Sequence, residues 1–131
     1  MRKLDSLTAW MVGRTLAVAA YRLTLDPPLS RQFALSDQIR RSAGSIPANI
    51  AEGYALGTTA QFVRFLRIAL GSTAELRTHL DLVRELELAG GEPLTRALQL
   101  CDEEIGLLIG LVYSLKRRID ATRPPSRVPC P

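Results

Sequence analysis

Histidine is almost missing from this chain, and much of the chemistry open to a small protein goes with it. The single histidine, His79, has no cysteine, serine elbow or carboxylate arrangement to serve, so no nucleophile or proton relay is expected. Carboxylate-bridged metal sites in helical bundles take Glu-x-x-His from two helices, whereas Glu75 and His79 are four residues apart and no second histidine exists. Catalytic, metal-binding and cofactor-binding residues are therefore expected to be absent. Cysteine is nearly as scarce. Cys101 and Cys130 form neither a disulfide framework nor a metal-ligand spacing, which makes a reducing cytoplasm the expected setting. Aromatic residues are 5% of the chain, and no recognition-helix signature, aromatic stacking platform or zinc module stands out. No apolar run is long enough to span a membrane. The start of the chain, with Arg2 and Lys3 before apolar residues and a later AVAA, has some features of a secretion signal, but Asp5 and Arg14 interrupt it.

What is present points to helices. With 131 residues, 47% of them hydrophobic and 23% charged, the chain can bury one globular core. Glycine and proline gather at a few points, and long alternating β-branched runs are missing, so helices with short loops are favoured. The net charge of +4 hides a segregation. Residues 1–72 hold nine basic and four acidic side chains, 73–115 hold three and eight, and 116–131 hold five and one. Such a pattern suits attraction between oppositely charged faces of neighbouring subunits, or binding of a polyanion by the basic parts. Fifteen of the seventeen basic residues are Arg, a bias that suits phosphate contacts and that GC-rich coding produces equally well.

Periodicity predicts four helices. The first covers about 5–25, capped by Asp5 or Ser6, with Leu7, Trp10 or Met11, Ala17 or Val18, and Tyr21 on its buried stripe, and it stops at Asp26-Pro27-Pro28. A short turn over 29–34 follows, with Phe33 available to plug the end of the bundle. The second helix covers 36–55. The third starts at a Thr58 or Thr59 cap and runs to about 88; Phe62, Ala69, Leu76 and Val83 recur every seven residues, as do Leu66, Thr73 and Leu80, the seam of near-parallel packed helices. Ala89-Gly90-Gly91 ends it, and Pro93 suits the first turn of the fourth helix, which runs to about 119. Leu94, Leu98, Cys101, Ile105, Leu108, Val112, Leu115 and Ile119 form its apolar stripe, leaving Glu103 and Glu104 for a solvated face. The expected fold is all-α, an antiparallel up-down four-helix bundle over 1–119 as a single domain, with 120–131 a flexible basic tail rich in Pro and Arg.

The stretch 38–53, QIRRSAGSIPANIAEG, sorts into rows of different chemistry at about 100° per residue. Leu35, Ile39, Ala43, Ile46 and Ile50 make an apolar row; Gln38, Ser42, Ser45, Asn49 and Glu52 a polar one; Gly44, Ala48, Ala51 and Ala55 a small one. Short hydroxyls and amides between Ile and Ala suggest a helix–helix or subunit contact, although a simply wet row would have the same spacing. The expected partners of Gln38, Ser45, Asn49 and Glu52 are Arg41 from the same helix or Ser72, Glu75 and His79 from another. Pro47 lies opposite the polar row, where a bend is expected without a break.

RRSAGSIPANIAEG followed by FVRFLRIALGSTAEL resembles the four-helix-bundle protein family encoded by intervening sequences in large-subunit ribosomal RNA genes. The likeness is densest at Gln38–Arg41, Ser45, Ile46 and Asn49–Gly53, resumes at Phe62, Phe65, Leu66, Gly71, Ser72 and Glu75, and is weakest in the fourth helix. That family is similar in fold to the accessory variability proteins of diversity-generating retroelements, which form five-subunit barrels and associate with a reverse transcriptase and nucleic acid. The resemblance implies a homopentamer with a nucleic-acid-linked role. One departure is Tyr54-Ala55-Leu56-Gly57, where the family commonly has a basic residue soon after AEG. The expectation is a non-catalytic scaffold contacting RNA or DNA phosphates through Arg40, Arg41, Lys116, Arg117, Arg118, Arg123 and Arg127. The competing expectation is a protein-assembly scaffold that binds no nucleic acid.

Overall fold

The structure, a computed structural model, describes Leu4 and residues 7–125. Its helices are α1 (Thr8–Leu23), α2 (Phe33–Ala55), α3 (Thr59–Glu85) and α4 (Gly91–Thr122), with one 3-10 turn at Leu29–Arg31. Short connections make each helix reverse on the one before, and α4 packs back onto α1 to close a square. The chain is an all-α antiparallel up-down four-helix bundle. Among the described residues no helix is long and apolar enough to cross a membrane.

α1 buries a different face from the one expected. Ala9, Gly13, Leu16, Ala20 and Leu23 point inward, Trp10 and Ala17 sit at the margin, and Met11, Val18 and Tyr21 face solvent. Small residues let α1 approach α2 and α4 closely, which outweighs burial of the larger side chains one position away. Tyr21 is engaged from outside instead: the Arg40 guanidinium lies 5.3 Å from its ring centre. The caps expected at Asp5 or Ser6 lie outside the described residues, and Leu7 precedes the helix.

Leu29, not Phe33, closes the end of the bundle. Leu29 is wholly buried and Phe33 is 82% exposed. The Ser36 hydroxyl donates to the Leu29 carbonyl at 2.7 Å, holding the 3-10 turn over the core while Phe33 opens α2 on its outer side. α2 then continues unbroken through Pro47, because Ile39, Ala43, Ile46 and Ile50, all fully buried, keep one phase on both sides of the ring.

α3 starts where Thr58 Oγ1 accepts the Gln61 N–H at 3.2 Å. Its two heptad rows fall inside apart from half-buried Phe62: Leu66, Ala69, Thr73, Leu76, Leu80 and Val83 have no exposure. The helix ends at Glu85, three residues short of expectation, because Glu87 adopts a left-handed conformation (φ 54°) and Leu88 N–H turns back to the Val83 carbonyl. α4 continues to Thr122, and Arg127 and Cys130 lie outside the described residues.

Candidate nucleic-acid interface

The antiparallel order brings the start of α3 and the end of α4 to the same end of the bundle. Ala60, Val63, Arg64, Arg67 and Ile68 line one surface hollow of about 570 Å³. Beside it, a hollow of about 250 Å³ joins Ala60, Val63 and Arg67 to Lys116, Ile119 and Asp120. Further round α4, Gly110, Tyr113, Ser114, Arg117, Arg118 and Ala121 line a third of about 500 Å³. Arg64, Arg67, Lys116, Arg117 and Arg118 thus form one basic end, continued by exposed Arg123, and none of them makes an ion pair among the described residues. Arg64 and Arg67 escaped the sequence reading because they are distant in sequence from the C-terminal bases; only the fold of α3 against α4 joins them.

Arg40 and Arg41 stand at the other end. Arg40 Nε donates to Thr24 Oγ1 at 2.8 Å, just past the end of α1, and Thr24 is itself buried. Arg41 pairs with Asp37 one turn earlier at 2.9 Å. At that end bases and acids meet: Arg77 reaches Asp102 at 3.1 Å, and Arg84 pairs with Asp81.

The polar row divides. Ser45 Oγ and Ser72 Oγ are 2.8 Å apart, linking α2 to α3, and Asn49 Nδ2 donates to the Ser45 carbonyl at 2.7 Å and its hydroxyl at 2.8 Å. Gln38 and Glu52 are exposed. Ser42 is buried and turns its hydroxyl onto the Gln38 carbonyl. Glu75 and His79 contact each other along α3, with Oε1 and Nε2 3.3 Å apart. Among the described residues no group of three or more His, Cys, Asp or Glu is placed to hold a metal ion.

Glu104 corrects the expectation of a solvated face. It is fully buried and neither carboxylate oxygen has a hydrogen-bond partner. Glu104 follows Cys101 by three residues and precedes Leu108 by four, so it stands on the apolar stripe itself. Gly13 makes the room: a Cβ on that residue would overlap Glu104 Oε2. Burial, aided by the nearby charge of Glu103, pushes the Glu104 carboxyl up to about 8. Cys101, also buried, has its thiol pushed up to about 12, burial outweighing the opposite pull of Arg77. Its role is that of a small apolar filler.

The 23S rRNA-intervening sequence protein family model matches residues 5–110. The chain belongs to that family. A crystal structure of a protein with unknown function from the S23 ribosomal protein family of Bacteroides thetaiotaomicron VPI-5482 is similar, with a TM-score of 0.73 and 28% identity over 80% of this chain and 98% of that one. No curated protein matches. In this intervening sequence protein the matched span includes Arg64 and Arg67, whereas Lys116, Arg117, Arg118 and Arg123 lie beyond it. The uncharged stretch Tyr54-Ala55-Leu56-Gly57 ends α2 and begins the turn to α3, and Tyr54 packs edge-on against Phe62 with ring centres 6.0 Å apart. Arg64 and Arg67, early in α3, provide positive charge at that same end.

Proposed function

We propose that this intervening sequence protein is a non-catalytic, self-assembling cytoplasmic scaffold that binds RNA or DNA through phosphates at its basic end. One observation carries the reading: Arg64, Arg67, Lys116, Arg117 and Arg118 gather from two helices without carboxylate partners among the described residues. Concentrating like charges is unfavourable in the free protein and is relieved by a polyanion. Contacts of this kind position a nucleic acid without reading its sequence. A ring of five subunits with a reverse transcriptase as companion belongs to the same proposal, as the family's likeness in fold to accessory variability proteins implies.

Titrating labelled RNA at several salt concentrations tests the reading. Affinity should fall steeply with salt, with a logarithmic slope of about 0.7–0.9 per phosphate contacted. Arg64→Glu with Arg67→Glu and Lys116→Glu should reduce both affinity and slope. Binding that ignores salt and these substitutions would sink the assignment.

Assembly without nucleic acid is the second reading, favoured by exposed Met11, Val18, Leu25, Ile68 and Leu82 on the outer surfaces of α1 and α3 and at the end of α1. Light scattering separates the two when combined with the titration: a stable oligomer that binds no RNA at low salt leaves only this reading.

A further inference from the structure

Aromatic side chains are few, and most have an intramolecular use. Arg14 lies over Trp10, Arg40 over Tyr21 and Arg64 over Phe65, and Tyr54 meets Phe62 edge-on. Phe33 and Tyr113 remain, 82% and 67% exposed, with neither another ring nor a cation stacked on them among the described residues. Phe33 sits at the opposite end of the bundle, after the 3-10 turn. Tyr113 alone stands within the basic end.

Its setting suits a flat ligand. Gly110, one turn before Tyr113, has nothing within 4 Å of where a Cβ would be, so no side chain crowds the ring from that direction. Gly110, Ser114 and Ala121 leave the hollow of about 500 Å³ in which Tyr113 is flanked by Arg117 and Arg118. α1 does not cover this part of α4. Gly13 of α1 is level with Glu104 of α4; five residues before Gly13 is Thr8, where α1 begins, and five after Glu104 is Ile109. On antiparallel helices of equal rise, the α4 turns from Gly110 onward therefore run past the first turn of α1.

We propose that Tyr113 is a stacking platform for an unpaired base, with Arg117 and Arg118 holding the adjoining phosphates, so that the basic end takes single-stranded nucleic acid in preference to duplex. This rests on the phosphate-binding reading above and adds the strandedness of the ligand. In a duplex both faces of an interior base are occupied by its neighbours, whereas a single strand can turn one face onto an aromatic ring. Every base has such a face, so the platform selects for strandedness and not for sequence. Tyr113, Arg117 and Arg118 all lie beyond the family-matched span.

The test is fluorescence anisotropy of the full chain with an oligouridine of about 15 nucleotides and an RNA duplex of about the same length. Tyr113→Ala should weaken single-strand binding on the order of tenfold and change duplex binding less than about twofold. Tyr113→Trp should keep or strengthen it, and Arg117→Glu with Arg118→Glu should weaken both ligands. Tyr113 is mostly solvated, so an unchanged thermal melt verifies that each variant is folded. Equal losses on both ligands, or no loss, would overturn the platform while leaving phosphate binding intact. A parent chain that binds neither ligand at low salt would overturn the underlying reading as well.

Discussion

Gly13 and Glu104 act as one unit contributed by two helices: the missing side chain of the first accommodates the carboxyl of the second. With its pKa near 8 when folded against an ordinary 4.5, the native state keeps a proton that the unfolded chain releases. Stability therefore falls as pH rises from about 4.5 to about 8, by up to ~1.4 kcal/mol per pH unit, and the contribution of Glu104 levels off above that, before the buried Cys101 thiol, pushed up from 9.0 to about 12, brings a second decline above about pH 9. Among the buried residues of α1, α2 and α3 there is no titratable group to oppose this. Urea unfolding across that range should show the decline in the parent and a much flatter profile in Glu104→Gln. Glu104→Met, which removes the buried polar atoms at similar length, should be the more stable protein at neutral pH. Gly13→Ala should cost about 1–3 kcal/mol through overpacking, and less in a Glu104→Ala background; equal costs in the two backgrounds would show that these residues do not share the space.

At the scale of elements, α2 and α3 are joined through an apolar seam that carries, among the described residues, one side-chain hydrogen bond between them, Ser45 to Ser72, which Asn49 supports from its own helix. Ser72→Ala removes the cross-helix partner and should cost about 1 kcal/mol in a thermal or denaturant melt. Ile46→Ala, in the fully buried row of the same helix, should cost about 2–5 kcal/mol. That ratio would identify apolar packing as what holds the pair and the hydroxyls as what sets its register. Arg40 joins a second pair of elements: Arg40→Ala leaves the buried Thr24 hydroxyl without its donor and strips the cation from Tyr21. A loss of about 1–2 kcal/mol is expected, with RNA affinity little changed, since this arginine belongs to the end of the bundle far from Lys116.

Over the whole molecule, the two ends differ in how their charges are used. At the far end Arg41, Arg77 and Arg84 answer to Asp37, Asp102 and Asp81 while Arg22, Arg31 and Arg96 stand unpaired among the described residues; at the basic end none of the clustered cations has such a partner among them. Charge reversal of Arg64, Arg67 and Lys116 should leave the melting temperature within a few degrees of the parent, since exposed charges contribute little to folding, while RNA binding collapses. A large drop in melting temperature would instead make the cluster part of the fold.

Helix number, order and most of the core were legible in the sequence, because a 3.6-residue period survives whatever a helix packs against. The seven-residue rows of α3 beyond half-buried Phe62 and the Ile39–Ile50 row of α2 are buried as their spacing requires. The face of α1 was not legible, since Trp10, Met11 and Val18 outweigh Ala9, Gly13 and Ala20 in hydrophobicity, and only the closeness of the neighbouring helices favours the small face. Glu104 was misjudged for a related reason: its charge predicts solvent, and the glycine that makes space for it lies some ninety residues earlier in the chain. Leu29 took the place expected of Phe33 because a turn's direction depends on the Ser36 bond across it. The candidate site was half visible, as the bases at 116–118 are contiguous, but pairing them with Arg64 and Arg67 needs the folded bundle. Local periodicity depends on neighbours a few residues away and is written in sequence; meetings between helices depend on packing distance, and the tertiary structure alone decided them.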